Sequence, residues 1–197
     1  IVYEGKDRFR AYLGYPSEGM DRLQGEHCLT TFLDHCRRAT VFPHFYDGNI
    51  RCIGPLASFT SSEDWVEHPY KEGVVLIGDA AATSDPVFGQ GMSLTLRDVR
   101  TLSDKLLATS DWDSAGHDYA NEHQRYFSVI HTSCVWLRQI LIEQGPEADR
   151  RRAVAMPLIA EDPTRIPDHI ISGPELPIDD SVRSRFFGEP MQVAQTG

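Results

Sequence analysis

The feature that most constrains this chain is a change of hydrophobic period inside one stretch, Gly73 to Leu107, which reads GVVLIGDAAATSDPVFGQGMSLTLRDVRTLSDKLL. Val74-Val75-Leu76-Ile77 is a continuous apolar run bounded by glycines. Such a run predicts a strand buried on both faces of a sheet. It stops at Gly78-Asp79, and Pro86, Gly89 and Gly91 then punctuate a turn-rich segment from Thr83 to Gly91. From Met92 onward, Leu94, Leu96, Val99, Leu102, Leu106 and Leu107 recur near the helical period. The stretch predicts a strand, a glycine-rich loop and a helix.

That order carries a chemistry. The first N–H groups of a helix have no partners within it. Glycines let a ligand approach the bare main chain, and the helix dipole favours a negative group at that end. Asp79, at the end of the strand, offers two acceptor oxygens to hydroxyls. Together they suit a molecule with a polyol at one end and an electron-rich ring at the other.

At these residues the chain resembles the FAD-dependent aromatic hydroxylases, the single-component flavoprotein monooxygenases. Their second flavin-contacting motif runs GDAAH, three residues, Pro, two residues, GQG, and then a helix carrying an Asp and a Leu. Gly78, Asp79, Ala80, Ala81, Pro86, Gly89, Gln90 and Gly91 match in register, as do Asp98 and Leu102 in the helix. Ala82 stands where the family usually has His, and Ser93 where it often has Asn. The resemblance implies that Asp79 bonds the ribityl chain of FAD and that Pro86 lies near the reactive carbon of the isoalloxazine. It also implies that the amides around Gly91, Met92 and Ser93 face the pyrimidine edge. Reduced flavin is anionic there, and a helix N-terminus stabilises such a charge by about 0.3–1 kcal/mol. The implied cofactor-binding set is Gly78, Asp79, Pro86, Gly89, Gln90, Gly91, Met92 and Ser93. No side chain is named as acid, base or nucleophile, because the cofactor carries the chemistry.

The rest of the chain is read around this unit. Ile1–Tyr3 and Phe9–Tyr15 predict a hairpin turning at Glu4–Asp7 and closed by Pro16–Gly19. Leu29, Phe32, Leu33 and Cys36 predict a helix over 25–38. Pro43 and Gly48 mark a loop, and Ile50–Ser58 predicts a strand or two. Phe59, Trp65 and Tyr70 are candidates to line a substrate pocket, with core packing the favoured reading. A long helix is expected over 114–143, ended by Gly145-Pro146, and another over 147–159 with a bend at Pro157. Residues 162–177 read as an extended tail, and Val182–Phe187 as a last helical turn.

With 197 residues, 41% hydrophobic and 24% charged, the chain can bury a real core. Its formal charge of −10 argues against a nucleic-acid partner. The run Arg150-Arg151-Arg152 is expected to solvate a helix face. Cys28, Cys36, Cys52 and Cys134 form no C-x-x-C pair, the pattern of reduced thiols in a cytoplasmic protein. The spacing of His27-Cys28 and His35-Cys36 does not suit a zinc site, so no metal is expected. No apolar run is long enough to span a membrane. No GxSxG elbow or GxxxxGK[ST] phosphate loop occurs.

The resembling family opens with a βαβ unit whose GxGxxG holds the FAD pyrophosphate, and this sequence contains no GxGxxG. The expected fold is therefore α/β, as an α+β fragment. It comprises part of a substrate-binding sheet (1–72), the second flavin-contacting strand–loop–helix of a Rossmann-like FAD domain (73–108), and C-terminal helices with an extended tail (109–197). The chain is expected to be the C-terminal portion of such a monooxygenase. It would use NAD(P)H and dioxygen on a small organic substrate, with a partner chain or an N-terminal GxGxxG domain completing the site. Two other readings stay open: a flavin-dependent reductase or dehydrogenase without oxygen insertion, and a non-catalytic piece that needs a separate nucleotide-binding half.

Overall fold

The structure is a computed structural model describing residues 2–15, 23, 25–40, 43–47, 50–59 and 63–190. Ile1, the expected turn at Pro16–Gly19 and Gly48 lie outside the described residues. The chain divides into two compact units, Ile1–Thr60 and Ser61–Gly197.

In the first unit, β1 (Val2–Gly5) pairs antiparallel with β2 (Arg8–Arg10). Lys6 and Asp7 both have positive φ (51° and 58°), the geometry of a two-residue turn whose twist matches its strands. The second strand ends at Arg10, short of the expected Tyr15. Val2 already faces Arg10, and β1 has no further described residue to pair. Beyond that point Ala11 and Leu13 pack on Phe32 and Cys36 of α1 (Cys28–Ala39) and on Tyr46. The strand expected in Ile50–Ser58 is absent. Pro55 removes a ladder donor next to Gly54, and no neighbouring strand is present among the described residues.

In the second unit, β3 (Tyr70–Lys71) and β4 (Val74–Val75) form a two-stranded hairpin. Its turn residues Glu72 and Gly73 have φ of 48° and 82°. The run Val74–Ile77 is thus a short hairpin arm and not a buried strand: Val74 is 63% exposed. A doubly covered strand needs neighbours on both edges, and among the described residues β4 has one. Both sheets are antiparallel pairs, so the described chain is a mixture of helices and small sheets.

Helices dominate from there. They are α2 (Gly91–Ala108), α3 (Trp112–Leu141), α4 (Pro146–Glu161), α5 (His169–Ser172) and α6 (Asp180–Phe187). The helical periods read from sequence are present, with ends shifted by a few residues. α3 is the spine: α2, α4 and α5 all pack against it. Its Trp136, Leu137 and Ile140 meet Ala155, Phe186 and Phe187 in the core. Asp111 caps α3 by accepting the Ser114 N–H, and Asp179 caps α6 by accepting those of Ser181 and Val182. Pro157 lies inside α4. Arg150 and Arg151 pair with Glu147 and Glu143, whereas Arg152 donates to the carbonyls of Ile140 and Glu143 at the end of α3. That third arginine is a cap and not a solvated face.

Residues 162–177 are not an extended tail. Asp162 accepts the Thr164 N–H to start a 3-10 turn (Pro163–Arg165), α5 follows, and His169 is buried with Nε2 at 2.9 Å from the Pro177 carbonyl. Proline and glycine here punctuate short turns packed on the bundle.

Gly116 shows how tightly α3 meets the hairpin. A Cβ there would lie 2.3–2.7 Å from Tyr70 ring atoms, and the Tyr70 hydroxyl is tied to Asp113. Gly116→Ala gains about 1 kcal/mol of helix propensity but incurs about 1–3 kcal/mol of overpacking. A net loss of up to about 2 kcal/mol in a urea melt is expected.

Candidate functional site

The residues singled out from sequence lie around the start of α2. Gly78 opens a 3-10 turn (Gly78–Ala80) with φ +58°, and a Cβ there would meet Thr95 Oγ1 at 3.0 Å. Thr95 Oγ1 donates to the Gly91 carbonyl at 2.9 Å, so the turn bearing Asp79 rests on the first turns of α2. Asp79 is exposed and makes no hydrogen bond or ion pair among the described residues. Its carboxylate is free to accept.

A second 3-10 turn (Pro86–Phe88) carries the loop into α2. Asp85 accepts the Val87 N–H at 2.9 Å and starts the turn; Gly89 ends it in the left-handed region, φ +66°. Phe88 packs into the core around Trp136 and Phe187, anchoring the loop from below. Pro86 and Gly89 stay exposed above. Gln90 turns inward: it is 8% exposed, and its Nε2 donates to the carbonyls of Phe88 (3.0 Å) and Ile170 (3.4 Å). Its amide nitrogen therefore braces the loop.

The helix start is bare. The Leu94 N–H bonds to the Gln90 carbonyl at 2.9 Å. Among the described residues, the N–H groups of Gly91, Met92 and Ser93 find no partner. No side chain caps α2 and no acid lies in its first turn, whereas α3, α4 and α6 carry Asp113, Glu147 with Asp149, and Asp180 there. The dipole of α2 is left uncompensated at its N-terminus. Met92 (77% exposed) and Ser93 flank the three amides on the surface.

Beneath this surface lies a network that the sequence reading did not assemble. Asp98, 1% exposed, accepts the Gly78 N–H through Oδ2 at 2.7 Å and the Tyr126 hydroxyl through Oδ1. His123 Nε2 is 3.9 Å from the same Oδ1. The Tyr119 hydroxyl donates to the Leu76 carbonyl at 2.9 Å, holding the residues just before Gly78. Burial first, and then the Asp98 charge, raises both phenol pKa values, so Tyr119 and Tyr126 remain donors. Burial outweighs Asp98 at His123 and lowers its pKa, keeping the imidazole neutral. Asp98 was visible as a motif match. Tyr126 and His123, on α3 and at least 25 positions away, gave no local signal.

Two of the other three candidates, Tyr70 and Trp65, resolve as packing. Tyr70 is buried against Gly116 and bonded to Asp113. Trp65 lies against Phe127 and His131, at ring distances of 5.6 and 4.8 Å, and pairs with Ala82 as an isolated antiparallel bridge. Phe59 is exposed. Among the described residues, no group of three or more His, Cys, Asp or Glu side chains gathers to hold a metal, and no helix is long and apolar enough to cross a membrane.

Four stability outcomes follow from this geometry. Gly89→Ala meets only backbone strain, about 1–2 kcal/mol, because nothing lies within 4 Å of its Cβ. Gly78→Ala adds the Thr95 contact and loses more than Gly89→Ala in the same melt. Asp98→Ala leaves the Gly78 and Tyr126 donors unpaired, at about 1–3 kcal/mol each. The sign for His123 is set by its lowered native pKa. The unfolded chain takes up a proton below about pH 6.5 while the native state does not, so stability falls as pH drops through that window. The urea midpoint should fall from pH 7 to pH 5.5, and fall less in His123→Phe.

Residues 48–127 match the model of a family described as FAD binding domain, a stretch that holds every residue from Gly78 to Ser93 and the Asp98–Tyr126 pair. No curated protein and no solved structure matches the chain. The exposed Asp79 carboxylate, the three bare amides and the open surface at Gly89 fit such a cofactor. The family match supports FAD as the cofactor and, more broadly, a flavin-dependent oxidoreductase.

Proposed function

We propose that these residues form the isoalloxazine-facing half of an FAD site in a monooxygenase. The enzyme takes reducing equivalents from NAD(P)H and inserts one atom of dioxygen into a small organic substrate. The observation that carries this reading is the pairing of a free acceptor, Asp79, with three free donors, the amides of Gly91, Met92 and Ser93, on one short scaffold joined through Thr95.

Bound FAD supplies the two-electron transfer and the activation of dioxygen. The chain's own residues do the rest. Asp79 accepts hydroxyls of the ribityl chain. The amides of Gly91, Met92 and Ser93 stabilise negative charge on the pyrimidine edge, in fixed positions that need no reorganisation. Pro86, exposed at the top of its turn, is a rigid apolar wall near the reactive face and helps exclude water from it. Val74, Val87, Met92 and Leu96 leave an apolar surface open around the site. A GxGxxG-bearing βαβ segment, on this polypeptide or a partner chain, would cover that surface and hold the pyrophosphate.

FAD titration is the direct test. The 197 residues alone are expected to bind FAD weakly, since they lack the pyrophosphate contacts; protein that includes a GxGxxG segment should purify yellow and consume oxygen when given NAD(P)H. Asp79→Ala should lower FAD affinity by about tenfold or more. Labelled dioxygen should leave its atom in the product. A yellow protein whose product carries no label is a reductase or dehydrogenase, and a colourless one removes the proposal.

A further inference from the structure

One buried charged cluster has no part in the function just described. Glu63, its side chain 7% exposed, lies shortly before Trp65. Its Oε2 meets two groups on one face of α3: Arg138 Nη1 at 3.3 Å and His131 Nδ1 at 3.4 Å. Its Oε1 accepts the backbone N–H of Asp85 at 3.4 Å. Trp65 covers the cluster through its contact with His131. Cys134 lies between His131 and Arg138 on that face of α3, and its thiol is pushed up to about 12, by burial first and then by the charges of Glu63 and Asp85. Both carboxylates therefore bear on the same spot.

A carboxylate suits this place because it only accepts and has two oxygens. One oxygen takes the Arg138 guanidinium that makes its burial tolerable, leaving the other for a main-chain N–H. That N–H belongs to the residue before Pro86. Proline has no N–H of its own, so Pro86 bonds only through its carbonyl, which accepts the Gly89 N–H at 3.2 Å, and its N-terminal side is held through its neighbours. The Asp85 N–H goes to Glu63, and the Val87 N–H goes to the Asp85 carboxylate. These two bonds fix the backbone on either side of Pro86.

We propose that Glu63, held by Arg138 and His131, is a positioning residue for Pro86: it sets where the turn places that ring against the flavin. The proposal rests on the FAD reading above and adds to it residues from a distant helix that no motif contains.

The test follows amide hydrogen exchange at Asp85 and Val87 together with the visible absorption and fluorescence of flavin in the FAD-loaded protein. In Glu63→Leu, exchange at Asp85 should rise about tenfold or more, while amides of α3 from Tyr126 to Ile130 keep their protection. The flavin bands should shift in the same variant. Glu63→Gln retains an acceptor oxygen and should restore most of the protection and the wild-type spectrum, a rescue that a general loss of stability does not give. If Glu63→Leu fails to fold, Arg138→Met, which removes one partner and keeps Glu63, is read in the same way. Unchanged Asp85 exchange overturns the proposal. So does faster exchange with an unaltered flavin spectrum in a variant that binds FAD. A wild-type protein that never takes up FAD, while Asp85 protection still depends on Glu63, overturns the cofactor reading and the positioning role with it.

Discussion

The structure around the site depends on one buried carboxylate. Asp98 lies almost wholly out of water, a costly place for a charge unless it is hydrogen-bonded. Each of its oxygens accepts one bond, from a backbone N–H and from a phenol hydroxyl, with a neutral imidazole alongside. The backbone group is Gly78, at the point where the chain turns out of β4 with positive φ. Fixing that N–H fixes the turn, and the turn holds Asp79 out to solvent. The phenol is on α3, so the same carboxylate couples the spine of the bundle to the exposed acceptor. Because both phenols keep their protons, the coupling does not loosen as the solution becomes mildly basic.

The loop that follows is held by a different device, from below and at both ends. Phe88 is driven into the core, Gln90 reaches the Ile170 carbonyl, and Asp85 closes the turn on Val87. Each anchor uses an inward-facing side chain, which leaves Pro86, Gly89 and the α2 amides facing outward. A ligand meeting such a surface finds donors already in position, and little ordering entropy is lost at that moment. The residues 166–178 that brace Gln90 are themselves tied down by His169 on the Pro177 carbonyl and by the bidentate pair of Arg97 with Glu175.

Local pattern was legible in the sequence; distant pairing was not. The helical spacing from Met92 to Leu107, and that of Tyr119, Tyr126, Phe127 and Ile130, is set by residues three and four apart and appears in the structure as read. The apolar run Val74–Ile77 says nothing of what lies beside it, and a strand takes its character from its neighbours. By composition, the prolines and glycines of 162–177 read as the breakers of an extended tail, whereas in the structure they punctuate short turns. Asp162 and Asp179, each accepting an N–H two residues on, were the readable signal of turns and caps there. At the site, the motif named Asp98 but not Tyr126, 28 positions on, and gave no hint of Glu63, whose arginine is 75 positions away.

Net charge and local field point in opposite directions here, and the local field decides what the site can hold. The chain carries a formal −10, which alone disfavours any electron-rich ligand. The nearest cation on α2, Arg97, is spent on Glu175 and on the face of the Tyr126 ring, so it gives the helix start little. What remains there is the dipole of α2 and three unbonded amides, with no acid in the first turn to cancel them. Between exposed charges, distant repulsion fades over about 8–10 Å in physiological salt, whereas an amide in hydrogen-bonding contact is not screened. In the function proposed above, a ring that gathers negative charge on reduction would meet a field of the right sign at contact range, and Asp79, on the neighbouring turn, would be the acceptor for the other end of the molecule.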